Sequence, residues 1–396
     1  MIALCIYVYF NLKKEKILLN SLFIVVISGF LQGVIAIQQF VSQSSIFYNY
    51  PILRKITGES LIGADILGVA KFVFEGQKIV RSYGTFPHPN ILGGFLIFTI
   101  LITVFLYLES KSGYLSSKIS NIRLLIQYYN TNGYKCQNIF YSLLWVFLIF
   151  VQVSALLLTF SRVSWFSFCF AIGILFFIYF MHIYNVSRET NIFKKIYYYK
   201  KFINLIIRFK ELFIVCFLLI YLIISNFSII QVRLDDNLLS NSSLPSNYAI
   251  SDRSFYNNVS RETLSDNLLF GSGLGTSIFQ IDEYAKNNNI NQKIESWQYQ
   301  PTHNIYYLIA SEIGLLGLMI FLLIIINIIL YNFNRQIVSR ETIIYKKLNY
   351  YLYAIFLSFL FIGLFDHYFW TLQQGRLIFW MILGLLLIVN NGETDK

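Results

Sequence analysis

"NIYYLIASEIGLLGLMIFLLIIINIILY", residues 304–331, decides the fold. It carries a single charged side chain, Glu312, and is long enough for a hydrocarbon core, which takes about 20 apolar residues to cross as a helix. Similar windows recur on either side of it, at 18–42, 91–108, 139–160, 163–184, 212–231, 350–366 and 376–393. Of the 396 residues, 56% are hydrophobic and 13% charged, with a mean hydropathy of +0.59. A soluble chain of this length needs far more polar surface. The reading is therefore an all-α, polytopic integral membrane protein with eight or nine transmembrane helices, 1–396 forming one integral domain. "MIALCIYVYF", residues 1–10, is too short to span and reads as the back half of a helix in a chain with a shortened start.

Lys and Arg outnumber Asp and Glu by 31 to 20. In a membrane protein such an excess reports loop orientation, and nucleic acid is not the inference. If "NLKKEK" (11–16) faces the cytoplasm, alternation puts 109–138, 185–211, 332–349 and the C-terminus there too, and these segments hold the basic excess. The other face receives the polar segments 43–90 and 232–303 and a turn at 366–375. A site is expected on that outer face, with 232–303 as a large extracytoplasmic loop. The four cysteines, Cys5, Cys136, Cys169 and Cys216, lie in or beside apolar spans, so neither a disulfide framework nor a thiolate metal site is foreseen. Repeated sets of spans and broken intramembrane helices mark many transporters; neither is read here.

"VSRET" occurs unchanged at 186–190, 259–263 and 338–342. The topology places two copies inside and one outside, so no single partner can meet all three. We read them as a DNA palindrome translated in frame, which gives Arg188, Arg261 and Arg340 no claim to catalysis.

Four outward constellations carry the candidate chemistry. "RSYGTFPHPNILGG" (81–94) offers Arg81 as an interfacial cation or phosphate ligand, with Pro87 and Pro89 stiffening the chain around His88. "LTFSRVSWFSF" (158–168) sets Arg162 between two apolar runs, a costly position that normally has an anionic partner or a task. In the large loop, Arg253 is expected to open an amphipathic helix with Phe255, Val259, Leu264 and Leu268 on one face, which "GSGLG" (271–275) would end. That glycine run lacks the strand and spacing of a nucleotide fingerprint. "PTHN" (301–304) brings His303 to the lip of the quoted helix, where Asn304 or Thr302 would cap. If that helix is continuous, Glu312 lies about 13.5 Å along its axis and is no partner of His303. A last outer turn adds Asp366, His367 and Gln374 as accessories, with Arg376 on the same face and Asp366 and His367 without an assigned role. His88, His303 and His367 all face outward, yet their spacing suits no metal site.

These motifs, in this order and on this face, resemble the O-antigen ligase and polymerase superfamily over roughly 80–390. The resemblance implies a GT-C-like membrane glycosyltransferase. It would move a glycan from a polyprenyl-diphosphate carrier to a glycan, lipid or protein hydroxyl at the outer face of the bacterial cytoplasmic membrane. No cofactor and no metal is implied, and the other partners are membrane lipids. Residue by residue, the family's arginine after the "TFS" helix end matches Arg162, its loop arginine matches Arg253 and its loop-end histidine matches His303. Arg162 and Arg253, with Arg81, His88 and Asn304, would bind the diphosphate, and His303 would be the base of an inverting transfer. The family usually has an aromatic where Asn257 stands and proline where Asn267 stands. A ligase ranks first, then a polymerase or a protein O-oligosaccharyltransferase, with a lipid-glycan transporter more remote.

Overall fold

Long apolar windows joined by polar connections fold as packed helices in the computed structural model of the protein. It describes residues 2–111, 136–187, 220–221, 223–224, 227–234, 246–289, 294, 298–338 and 343–391. The chain begins with α1 (Ile2–Asn11), α2 (Glu15–Ser42) and the short α3 (Pro51–Thr57), then a hairpin of β1 (Lys71–Phe74) and β2 (Gln77–Val80). Next come α4 (Pro89–Lys111), α5 (Cys136–Leu158), α6 (Arg162–Ser187) and α7 (Phe227–Leu234). The loop region holds α8 (Ser246–Asp266) and α9 (Gln280–Asn287), and α10 (Ile305–Val338), α11 (Ile343–Ile362), α12 (Tyr368–Thr371) and α13 (Gln373–Asn391) complete the chain. Among the described residues, α2, α4, α6 over Arg162–Met181 and α10 over Ile305–Tyr331 are long and apolar enough to cross a membrane. The window at 212–231 lies largely outside the described residues, as do Arg188 and Arg340.

α4 is apolar on every side, and such a helix must be buried. It is the centre of the bundle, packed by α2, α5, α6 and α11. At its far end Glu109, 5% exposed, pairs with Lys347 of α11 at 2.6 Å. At its near end a Cβ on Gly93 would meet the Ser164 side chain of α6, and one on Gly94 would meet Tyr368 of α12. The two glycines thus let both site-bearing segments close on the start of α4.

Three local readings need correction. The all-α expectation missed the hairpin, whose register runs from Lys71 opposite Val80 to Phe74 opposite Gln77. Glu75 and Gly76 both have positive φ, 49° and 79°, as a two-residue hairpin turn requires. Next, Arg253 lies inside α8, which starts at Ser246. The buried stripe of α8 is Tyr256, Val259, Ser260 and Thr263, while Leu268 is 50% exposed. The two hydroxyls can face inward because each is bonded, Ser260 to Thr302 and Thr263 to the Val259 carbonyl.

The third correction concerns α10, which is broken at Gly314 (φ 73°, ψ 178°). Backbone freed inside an apolar span needs a new partner, and the loop after α8 supplies it. Ser272 and Gly273 N–H donate to the Ser311 and Glu312 carbonyls at 2.9 and 2.8 Å, and Leu315 N–H donates to the Leu268 carbonyl at 2.9 Å. The glycine run is a docked element, and Gly271 and Gly314 leave no room for a Cβ against the facing backbone. Gly314's conformation is open to glycine alone and costs other residues about 1–3 kcal/mol. Gly314→Ala is expected to lower the thermal unfolding midpoint of the purified protein clearly, and an unchanged midpoint would contradict this account.

Candidate functional site

The end of α5 fixes Arg162. The last carbonyls of a helix lack intrahelical partners, and here each one has a donor. Ala155 O accepts from Thr159 N–H, Leu157 O from Phe160 N–H and Leu158 O from Ser82 N–H. Leu156 O accepts from the Trp165 indole N–H at 3.0 Å, and Thr159 O from the Arg81 Nε–H at 2.7 Å. Phe160 turns the chain at φ 45° and is held by Phe72, Phe40 and Trp165. Arg162 follows directly as the first residue of α6.

Arg81 is 6% exposed, neither snorkelling nor presented at an interface. Besides the Thr159 bond, its guanidinium donates to Asn90 Oδ1 at 2.7 Å. The Asn90 amide then donates to Asp366 Oδ2 at 2.7 Å. Asp366 Oδ1 accepts the His367 backbone N–H at 2.8 Å. A continuous path thus runs from the turn before Arg162, through Arg81 and Asn90, to the segment carrying Asp366 and His367. Asn90→Ala would leave a buried guanidinium nitrogen and a buried carboxylate oxygen without these bonds. Such a loss costs about 1–3 kcal/mol per group, so a lower unfolding midpoint is expected, with Asn90→Asp failing to restore it because its carboxylate faces Asp366.

His303 lies between two rings, with the Tyr256 centroid at 5.9 Å and that of His367 at 5.0 Å and nearly perpendicular. Its Nδ1 is buried and bonded to no described group. Thr302 ties the same corner to α8 by donating to the Tyr256 carbonyl at 2.8 Å. Asn304 is the cap of α10: its Oδ1 accepts from the Tyr306 and Tyr307 N–H groups at 2.9 and 3.1 Å, and its amide donates to Leu364 O at 3.0 Å. That side chain is occupied by the fold. His367 Nδ1 bonds the Thr371 hydroxyl at 2.6 Å. Gln374 stands exposed on the first turn of α13 and has no part in this network.

The electrostatics follow from burial among like charges. Burial is the main cause that lowers His88 to about 3, with Arg81 adding to it and Asp366 opposing. The Asn90 backbone N–H donates to His88 Nδ1, which suits a neutral ring. Burial likewise lowers His303 to about 4, opposed by Asp366 and assisted by His367 and Arg253. His367 is lowered by burial against the pull of Asp366 and Glu312. Burial alone would raise the Asp366 carboxyl, but His367, His303, His88 and the Asn90 N–H hold it below its usual value. Arg253, half-buried, is lowered by burial and by neighbouring Arg162, with Asp366 opposing; a guanidinium nevertheless stays charged at any working pH.

Arg162, Arg253, His303, Asp366, His367, His88 and Arg81 therefore share one neighbourhood. Sequence reasoning missed Asn90, although it stands in the "HPN" turn already quoted. It also missed Glu312, whose charge acts on His367 and whose carboxylate accepts the Trp370 indole N–H at 3.3 Å. A cavity of about 720 Å³ adjoins this wall, apolar over most of its lining and including Leu274, Phe359, Leu360, Thr371 and Arg376. The Nε of Arg376 is buried there with no partner among the described residues. Among the described residues no three His, Cys, Asp or Glu are grouped to hold a metal ion.

Fold and site together define a multi-pass membrane protein with a buried cationic and imidazole centre at one end of its bundle. Residues 145–322 match the family model described as O-antigen ligase, so this part of the chain is similar to the O-antigen ligase and polymerase superfamily. The matched span contains Arg162, Arg253 and His303 but ends before Asp366 and His367. No curated protein and no solved structure matches the chain significantly.

Proposed function

We propose that the protein is a ligase-type glycosyltransferase. It would take a glycan from a polyprenyl-diphosphate carrier and join it to an acceptor hydroxyl at the outer face of the bacterial cytoplasmic membrane, through a GT-C-like bundle of eight or nine spans. The observation that carries the reading is the nearness of Arg162 and Arg253 to one another and of Arg253 to His303. Two cations that repel one another, with the buried Asp366 carboxylate acting on Arg253, suit an incoming anion. Arginine's planar fork suits phosphate oxygens in particular.

In the proposed reaction the acceptor hydroxyl gives its proton to neutral His303 as its oxygen attacks the anomeric carbon. The bond from that carbon to the diphosphate breaks, the configuration inverts, and Arg162 and Arg253 stabilise the charge growing on the leaving diphosphate. Arg81, whose bonds go to Thr159 and Asn90, would position Arg162. The cavity is of ligand-binding size, for which about 300–1,000 Å³ is usual, and its apolar wall would take part of the carrier's isoprenoid chain.

Deleting the gene and profiling the surface glycans tests the function. Full-length chains left on the lipid carrier are the expected result. Single repeat units would mean a polymerase instead, and an unaltered profile would overturn both.

A further inference from the structure

The segment that docks into the break of α10 has a second, outward-facing character. Between 268 and 279, Leu268, Leu269, Phe270, Leu274 and Phe279 are 50%, 55%, 76%, 71% and 70% exposed. No charged residue lies between Asp266 and Asp282. Scattered exposed leucines need no explanation, but a contiguous apolar patch of this kind marks a contact with lipid or protein.

The backbone indicates which. Leu268 and Leu269 accept hydrogen bonds from Leu315 and Leu316 N–H, at 2.9 and 3.4 Å. Those two residues open the second half of α10, where Leu315, Met319, Ile320 and Leu323 are 41%, 51%, 58% and 52% exposed. The span Ile305–Tyr331 is apolar enough to cross a membrane, and among the described residues little of it is buried, so the exposed surface of its second half belongs to lipid tails. The loop patch continues this surface sideways. A water-facing loop so placed would expose its apolar side chains where headgroups give way to hydrocarbon.

We propose that residues 268–279 form a membrane-inserting wedge whose partner is the edge of the lipid leaflet entered by α10. Phe270 and Leu274, the latter at the edge of the cavity, are the most exposed of these side chains, and Gly271 and Gly273 between them, both with positive φ, let the chain turn over inside the interface. Because α8 ends at Asp266, two residues before the wedge, the insertion pins the helix bearing Arg253 to the lipid surface. A diphosphate on a lipid anchor would arrive at that level; this consequence, unlike the wedge itself, rests on the proposed transfer.

The test uses the full chain in phosphatidylcholine vesicles, with Cys5, Cys136, Cys169 and Cys216 replaced by alanine and a nitroxide at Phe270→Cys, Leu274→Cys or, as a water-facing control, Glu283→Cys. Collisions with oxygen are expected to exceed those with a nickel chelate at 270 and 274, with the order reversed at 283. Preference for the chelate at 270 and 274 would place the loop in water and overturn the proposal. Protection from both reagents would also overturn it, since protein and not lipid would then cover the patch. If the cysteine-free chain does not fold, Phe270→Trp in the natural sequence must show added quenching by brominated lipids. Neither readout needs glycan transfer, so failure of the wedge and failure of the proposed reaction are told apart.

Discussion

His303→Ala is expected to lower glycan transfer by about 10²- to 10⁴-fold, the usual contribution of a positioned general base, while the protein still inserts and holds its donor. The reason is the isolation of the ring. Nothing described bonds its Nδ1, and burial lowers its pKa to about 4, so it is neutral at ordinary pH. The sign follows directly. Only the neutral ring accepts a proton, so activity is present above about pH 4 in the free enzyme and lost as pH falls through that value. Donor binding shifts this limb. A diphosphate against Arg253 and Arg162 offsets the positive charge that helps depress the imidazole, which raises its pKa towards the working range. The acid limb of kcat, which reports the donor complex, should therefore lie at higher pH than that of kcat/KM, which reports the free enzyme. Reconstituted transfer measured over a range that starts well below the free ring's pKa of about 4 checks this; coincident limbs, or an active His303→Ala variant, would remove the imidazole from the chemistry.

Arg253→Ala should cost about 10²- to 10³-fold in kcat, the loss typical when one donor to a developing anion is removed. Some donor binding should go with it. Arg253 is half-buried, and both Arg162 and Asp366 act on it, so alanine would also leave Asp366 with less positive charge around it. Arg253→Lys keeps the charge but not the planar fork and should recover binding better than turnover. Equal recovery of both would mean that Arg253 acts as a point charge. Transfer kinetics alongside binding of the lipid diphosphate separate these outcomes.

Much of this was legible because its physics is local. The run at 304–331 and the apolar surround of α4 declare helices by length alone, and Arg162 is conspicuous as a lone cation between two such runs. What stayed hidden depends on partners distant in the chain. Asn90 reads as one polar residue in a proline turn, while the carboxylate that gives it meaning lies 276 positions away. Gly314 is one more small residue in an apolar run, and its break becomes affordable only when the loop at 268–273 lends its backbone. Ser260 and Thr263 look solvent-facing until Thr302 and a helix carbonyl occupy their hydroxyls, so the hydrophobic pattern alone chose the wrong stripe on α8. Gln374 shares the outer turn with Asp366 and His367, and on α13 its side chain is exposed.

The break at Gly314 divides α10 into two mechanical parts. The short part, from Ile305, is sewn to the loop through the Ser311 and Glu312 carbonyls and follows directly on His303; the long part is tied to the same loop at its first turn, through the Leu315 and Leu316 N–H groups. Bilayers differ in thickness, and spanning helices accommodate this by leaning. Such leaning would be taken up on the far side of Gly314, so the imidazole would hold its spacing from the paired guanidiniums in thin and thick membranes alike.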